Sequence, residues 1–235
     1  MKKTPIRYET YDVSKSYEEN FEAGPKFERD MPKFIPELPN KTKIFDFELN
    51  SPLGIPAGPL LNSKFIKFYA EMGFDIPVYK TVRSVERGCH AAPNCVFVDQ
   101  KNQFSPSEGM TDIFTTEMPE TVEELVITNS FGVPSKPVKE WQADVELANS
   151  YLKSGQIMPV SINGTAGAEG RTLAEDFAYT AAMAKEAGAK IIIANYSCPN
   201  IAAGKEGSVY CDPLASKEIS AKIRAAIGST PFLIK

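Results

Sequence analysis

The chain has 235 residues, a formal net charge of −4 and a pI near 5.3, with 43% hydrophobic and 24% charged residues. This is ordinary globular material, long enough for one large core of α/β type, and its acidity argues against a nucleic-acid or anionic-membrane surface. No apolar run approaches membrane-spanning length, and Met1-Lys2-Lys3-Thr4-Pro5 is followed by charged and aromatic residues, so the sequence reads as cytoplasmic, with no membrane and no nucleic-acid partner.

Residues 1–40, rich in charge, Tyr, Phe and Pro, show no sustained period and are expected to form an N-terminal arm or small cap; residues 41–235 form the main domain. A strand is expected over residues 50–58. Ser63 reads as the N-cap of a helix over residues 64–72, with Phe65, Tyr69 and Met72 on one face and Gly73 as its stop. Residues 76–82 read as the next strand. The rhythm then breaks from Arg83 to Pro137, with short extended pieces at 96–98 and 125–128, and an interruption of that length is usually a functional elaboration.

The rhythm resumes with Trp141, Val145, Ala148 and Leu152 at helical spacing, stopped by Gly155, and a strand over 158–162. Leu173, Phe177, Ala181 and Ala184 mark a third helix, ended by Gly188, before a strand beginning at Ile191. Leu214, Ile219, Ile223 and Ile227 mark a fourth, ended by Gly228, before a strand over 231–235. Repeated β-α units imply a parallel sheet, which both a doubly wound sheet and a TIM barrel satisfy. Small or polar groups fall at the carboxyl end of every strand: Ala57-Gly58, Lys80-Thr81, Ser161 with Asn163-Gly164, Asn195 to Asn200, and Lys235. A barrel spreads its site over many strand ends, and Gly54 to Gly58 lacks a dinucleotide fingerprint. The expected fold is therefore a TIM (β/α)8 barrel with about its first five β-α units present.

Chemistry concentrates after Ile191-Ile192-Ile193, where Asn195, Ser197, Cys198 and Asn200 follow a buried-strand signature. The amides can meet a planar, amide-rich ligand, and a cysteine with a lowered pKa can take a proton near neutral pH. An inert Cys in a Pro-Asn turn explains the same letters. Cys89, Cys95, Cys198 and Cys211 lack paired spacing and read as reduced thiols. Cys89-His90 with Cys95 lacks a fourth ligand and reads as surface loop, so no metal is expected.

Ordered segments carry a resemblance: Asn50-Ser51-Pro52-Leu53-Gly54 through Ala57-Gly58, Tyr79-Lys80-Thr81, Asn129-Ser130-Phe131-Gly132-Val133-Pro134, Ser161-Ile162 with Gly164, Asn195 to Asn200, and Phe232 to Lys235. Together they resemble the dihydroorotate dehydrogenases, in their soluble, cysteine-base class. The resemblance implies an FMN oxidoreductase that converts dihydroorotate to orotate in de novo pyrimidine biosynthesis. It implies Cys198 and Lys80 as catalytic residues, and Lys80, Asn129, Phe131, Gly132, Val133, Asn195 and Asn200 around the substrate. Ala57, Gly58, Lys80, Thr81, Ser161, Asn195 and Lys235 would line the flavin, and the segment before Asn129 would supply a lid.

Phe131 stands where the family often has Met, the N-terminal arm is longer and more charged, and sequence resembling the family's last three β-α units is absent. The chain therefore reads as C-terminally incomplete, with an exposed last strand and weakened FMN binding of its own. The resemblance leaves the electron acceptor open among fumarate, NAD through a partner subunit and other oxidants, and relatives imply a homo-oligomer at full length. Two other readings fit parts of the sequence: a non-catalytic truncated remnant or assembly partner, and a flavin-dependent reductase resembling dihydropyrimidine dehydrogenase, which Asn200 disfavours.

Overall fold

The computed structural model describes residues 10–26, 41–99, 114–198, 201 and 205–235. It begins with α1 (Tyr17–Ala23), set by a capping box in which the Ser16 hydroxyl accepts from the Glu19 amide and the Glu19 carboxylate accepts from the Ser16 amide. The expected arm is thus partly a docked helix, with Tyr17 and Asn20 buried. A short antiparallel hairpin of β1 (Thr42–Ile44) and β2 (Phe47–Leu49) follows.

The parallel system starts at β3 (Gly54–Ile55), far shorter than the expected strand over 50–58. A Cβ at Gly54 would come within 2.7 Å of the Ile76 carbonyl oxygen, so only glycine lets the two backbones approach there. Next comes α2 (Ser63–Glu71), whose N-cap is Asn62 and not Ser63. The Asn62 side-chain oxygen Oδ1 accepts from the Lys64 amide and its NH2 group donates to Phe21 O at 2.7 Å, while the Ser63 hydroxyl donates to Asp144. Both are good caps by residue type, and the tertiary partners decide between them. The buried face of α2 is Phe65, Ile66, Phe68 and Ala70, with Tyr69 and Met72 only partly covered.

One residue, Val78, separates β4 (Ile76–Pro77), which pairs with β3, from β5 (Tyr79–Val82), which pairs on its other side. The interruption that follows is a three-stranded antiparallel flap of β6 (Cys95–Val98), β7 (Thr115–Thr116) and β8 (Ile127–Asn129), with β6 in the middle. Cys95 is buried on β6 and Cys89 half-buried, so this pair is not surface loop.

The units α3 (Val138–Ser150), β9 (Val160–Ile162), α4 (Leu173–Glu186), β10 (Ile192–Ala194), α5 (Pro213–Ile227) and β11 (Phe232–Ile234) complete the order. The four-stranded parallel sheet runs β5-β9-β10-β11, so strands lie side by side in sequence order, with β3 beyond β4. No closed barrel forms among the described residues. β9 and β10 are buried throughout, as their apolar runs require. α4 and α5 pack against each other and the sheet through Phe177, Ala181, Ala184, Ile219, Ile223 and Ile227. Leu214, expected on that face, is 80% exposed and sits in the first turn of α5, where its amide donates to the Asp212 cap. Leu152 lies past the end of α3 and is half-buried.

Candidate functional site

The strand order brings the carboxyl ends of β5, β9, β10 and β11 together, and polar side chains line that edge. Thr81 and Ser161 hydroxyls lie 2.8 Å apart across β5 and β9. Asn195, just past β10, donates through Nδ2 to Asn163 Oδ1 at 3.3 Å and accepts at Oδ1 from Lys235 Nζ at 3.0 Å. Asn163, Ser161 and Asn195 are all nearly inaccessible. Burial of hydrogen-bonding amides in a connected row fixes their orientation, which suits recognition of a ligand with its own amide edges.

Lys80 is half-buried on β5, with Nζ donating to Thr81 O at 3.3 Å. Burial first, and then the nearby Arg83 and Lys235 charges, pull its ammonium down to about 7, while Cys198 and Cys89 pull the other way. Lys235 as a residue is exposed, yet its ammonium turns in to Asn195, and desolvation lowers its pKa against the opposing effect of Cys198. Arg83 is likewise lowered by burial and by Arg87, with Glu206 and Cys198 opposing. Cys198 is therefore close enough to act on all three cations.

The Cys198 segment is held by backbone bonds. Its amide donates to Gly207 O at 3.0 Å, Ser197 bridges Ser208, and its carbonyl accepts from Ile201 N at 3.2 Å. Asn200, an expected substrate ligand, and Pro199 lie outside the described residues.

The turn at Phe131-Gly132-Val133 has two consecutive left-handed residues, Gly132 at φ 74° and Val133 at φ 55°. A β-branched residue there is strained, and strain of this kind concentrates at functional sites. A Cβ on Gly132 would stand 2.2 Å from His90 Nε2. Phe131 packs edge-on to Tyr11 at 5.6 Å and against Tyr17 at 5.8 Å, and Val133 O accepts from Arg83 Nε. The turn is thereby tied to the strand-end cluster. Asn129 is exposed at the end of β8, opposite Cys95. Ala57 is buried and Gly58 faces open space.

A cavity of about 370 Å³ opens between α1, β5 and the start of α3, lined by Tyr17, Phe21, Lys80, Thr81, Arg87 and Trp141 among others. It reaches Lys80 and Thr81 from the α1 side, and Cys198 is not on its wall. The strand-end cluster, defined by hydrogen bonds and charge, is the better candidate for chemistry.

Sequence reading did not single out Arg83 and Glu206. Arg83 sits three residues after Lys80 and could have been suspected from that spacing; nothing local marked Glu206.

A curated relative, the dihydroorotate dehydrogenase of Dictyostelium discoideum, is 44% identical over 242 residues, covering 98% of this chain and 64% of the relative. The chain is homologous to a dihydroorotate dehydrogenase. It spans just under two thirds of that relative's length. The crystal structure of DHODH from Eimeria tenella in complex with ferulenol matches with a TM-score of 0.59 at 14% identity, over 80% of this chain and 44% of that one, a likeness of fold. No family model matches the chain. The match covers nearly the whole chain, so the interior motifs around Lys80, the 129–134 turn and Asn195 fall within its span. No helix among the described residues is long and apolar enough to cross a membrane.

Proposed function

We propose that the chain belongs to an FMN-dependent dihydroorotate dehydrogenase in which Cys198 is the base. The observation that carries this reading is the convergence of Cys198, Lys80, Lys235 and the Asn163–Asn195 row at adjacent parallel strand ends. The five parallel segments in sequence order support their assignment as the first units of a (β/α)8 barrel, since a doubly wound sheet would reverse its strand order.

The donor set fits a flavin edge. An isoalloxazine presents ring nitrogens and carbonyl oxygens in a plane, and Lys80, Lys235, Asn195, Thr81 and Ser161 offer ammonium, amide and hydroxyl groups along one row of strand ends. At Gly58 nothing lies within 4 Å of where a Cβ would stand, which leaves room beside the small Ala57-Gly58 pair. FMN, when bound, supplies the hydride acceptor that no side chain can provide.

The remaining work falls to the chain. Cys198 takes the proton from carbon five of dihydroorotate while the hydride leaves carbon six. Lys80 and Asn195, with Asn129 and Asn200, hold the carboxylate and ring amides. Backbone amides of Phe131, Gly132 and Val133 add donors from the strained turn. Negative charge that develops next to the ring carbonyl is best stabilised by fixed donors in a site closed to water, and on this reading the segment before Asn129 supplies the lid. On this reading the product enters de novo pyrimidine synthesis, fumarate and NAD through a partner subunit are among the acceptors to test, and the full-length protein works in the cytoplasm as a homo-oligomer.

Stopped-flow reduction of the bound flavin by dihydroorotate tests the reading. Cys198→Ala should lose most of the rate, on the order of 100-fold or more, while flavin and orotate still bind. Equal rates in wild type and Cys198→Ala would remove Cys198 from the chemistry.

A further inference from the structure

The strained turn at Phe131-Gly132-Val133 is seated on the N-terminal segment. Tyr11 and Tyr17 both meet the Phe131 ring, at 5.6 Å and 68° and at 5.8 Å and 56°, inclinations that ring quadrupoles favour. Asn20, buried within α1, accepts from the Asp12 amide at 2.7 Å and donates to Asp12 O at 2.9 Å. The residues before the helix are thereby folded back onto it, and Tyr11 and Tyr17 are presented as one unit.

The same unit reaches the turn by a second route. The Tyr11 hydroxyl donates to Asn94 Oδ1 at 3.3 Å, and Asn94 is 7% exposed. Asn94 O accepts from the Ser130 amide at 2.8 Å, and Phe131 O accepts from the His90 amide at 3.2 Å. Burial, and then Cys89 and Cys95, push the Tyr11 hydroxyl up to about 12, so it stays a donor at neutral pH.

These contacts bear on the backbone that follows. Gly132 and Val133 hold left-handed angles, which a β-branched residue keeps only when its surroundings over-determine them. Arg83 holds one end through Val133 O, and the tyrosines hold the other through Phe131 and, by way of Asn94, through Ser130. An arm that merely packed on the core would spread its effect over the whole fold. A hold on this turn is felt first where the Gly132 and Val133 amides point.

We propose that Tyr11 and Tyr17 are positioning residues of the substrate site: they seat Phe131 and so fix the direction of the Gly132 and Val133 amides. This rests on the reading of those amides as substrate donors.

The test uses the full-length, flavin-loaded protein with Tyr11→Ala, which removes the ring and the hydroxyl, Tyr11→Phe, which removes the hydroxyl alone, and Tyr17→Leu, which keeps an apolar body and removes the ring. Orotate titrations of the flavin spectrum should show affinity lowered about 3- to 10-fold in Tyr11→Ala and Tyr17→Leu, with Tyr11→Phe between them and wild type and flavin content unchanged. Hydrogen exchange should quicken severalfold at the Ser130 amide in Tyr11→Ala and stay as it was at the Ser135 amide, which is bonded to Arg87 O on the far side of the turn. Wild-type orotate affinity in folded Tyr11→Ala would overturn the proposal. So would weaker binding accompanied by loss of flavin and equal acceleration at Ser130 and Ser135, since the arm would then support the fold at large. If Tyr17→Leu does not fold, Tyr11→Ala decides alone. Selective exchange at Ser130 in a protein whose wild type binds no orotate would keep the arm's hold on the turn and discard the dihydroorotate reading.

Discussion

Burial of Lys80 beside Arg83 and Lys235 holds its ammonium at about 7, against an ordinary 10.5, and that displacement has consequences for both folding and binding. In the unfolded chain the lysine keeps its proton up to 10.5; in the folded chain it loses it above about 7. Between those values the unfolded state binds more protons, so stability rises with pH across the window and the full cost is present below it. Lys80→Met should abolish that rise in urea unfolding measured on either side of the window. It should also stabilise the protein at neutral pH by on the order of 2 kcal/mol, less than the whole displacement implies because the side chain retains some solvent. Binding has the opposite sign: an anionic ligand favours the charged lysine, so orotate affinity should fall as pH rises above about 7, with proton uptake visible in calorimetry across buffers. Flat affinity through that range would detach Lys80 from the ligand. The sequence marked Lys80 by its strand-end position; the electrostatic setting that makes it useful comes from Arg83 and Lys235, which lie 3 and 155 residues away along the chain.

At the level of elements, Asn62 does two jobs that a helix cap does not usually combine. Its oxygen caps α2 and its NH2 group reaches back to Phe21 O in α1, so the two helices share one side chain. Asn62→Ala should cost about 1–2 kcal/mol and should release α1 from the core. Amide hydrogen exchange is the measurement: protection lost at Asn20 and Phe21 while α4 is unchanged is the expected pattern, and uniform loss would deny a local link. The sequence showed a helix over 64–72 and placed its start one residue off, because Asn and Ser are equally good caps by type and only the distant Phe21 and Asp144 distinguish them. Strand β3 shrank to two residues for a similar reason: residues 50–53 are spent on contacts to the Gly155 and Asp75 segments, which no local period reveals. Helices α3, α4 and α5 were legible because their apolar spacing agrees with the glycines that follow their ends, Gly155, Gly188 and Gly228.

For the whole molecule, the β-α order was readable from the sequence and closure was not. Apolar runs at Ile191 and at 231–234 announce strands, whereas the neighbour of each strand depends on crossovers that leave no local mark. Among the described residues β11 has β10 on one side and no strand on the other, and Ile234 on it is 54% exposed. An exposed apolar edge of this kind is a site of self-association. The 235-residue chain should therefore associate in solution, and Ile234→Lys should reduce that association without unfolding it, as read by light scattering and circular dichroism. A wild-type chain that is monodisperse at the same concentration would refute this edge as a site of self-association.

Strand order also bears on how the protein is made. Because β3, β4/β5, β9, β10 and β11 take their places in the order of synthesis, each unit leaving the ribosome finds its only required neighbour already folded. Among the described residues the outer side of β3 stays bare throughout, so a nascent chain exposes that fixed edge and one edge that advances as translation proceeds, and pausing at a unit boundary prolongs exposure of the advancing one. Chaperone demand should follow the ribosome's position along the message in steps of one β-α unit, where a fold with a reversed strand order would hold several unpaired strands until its last segment emerged.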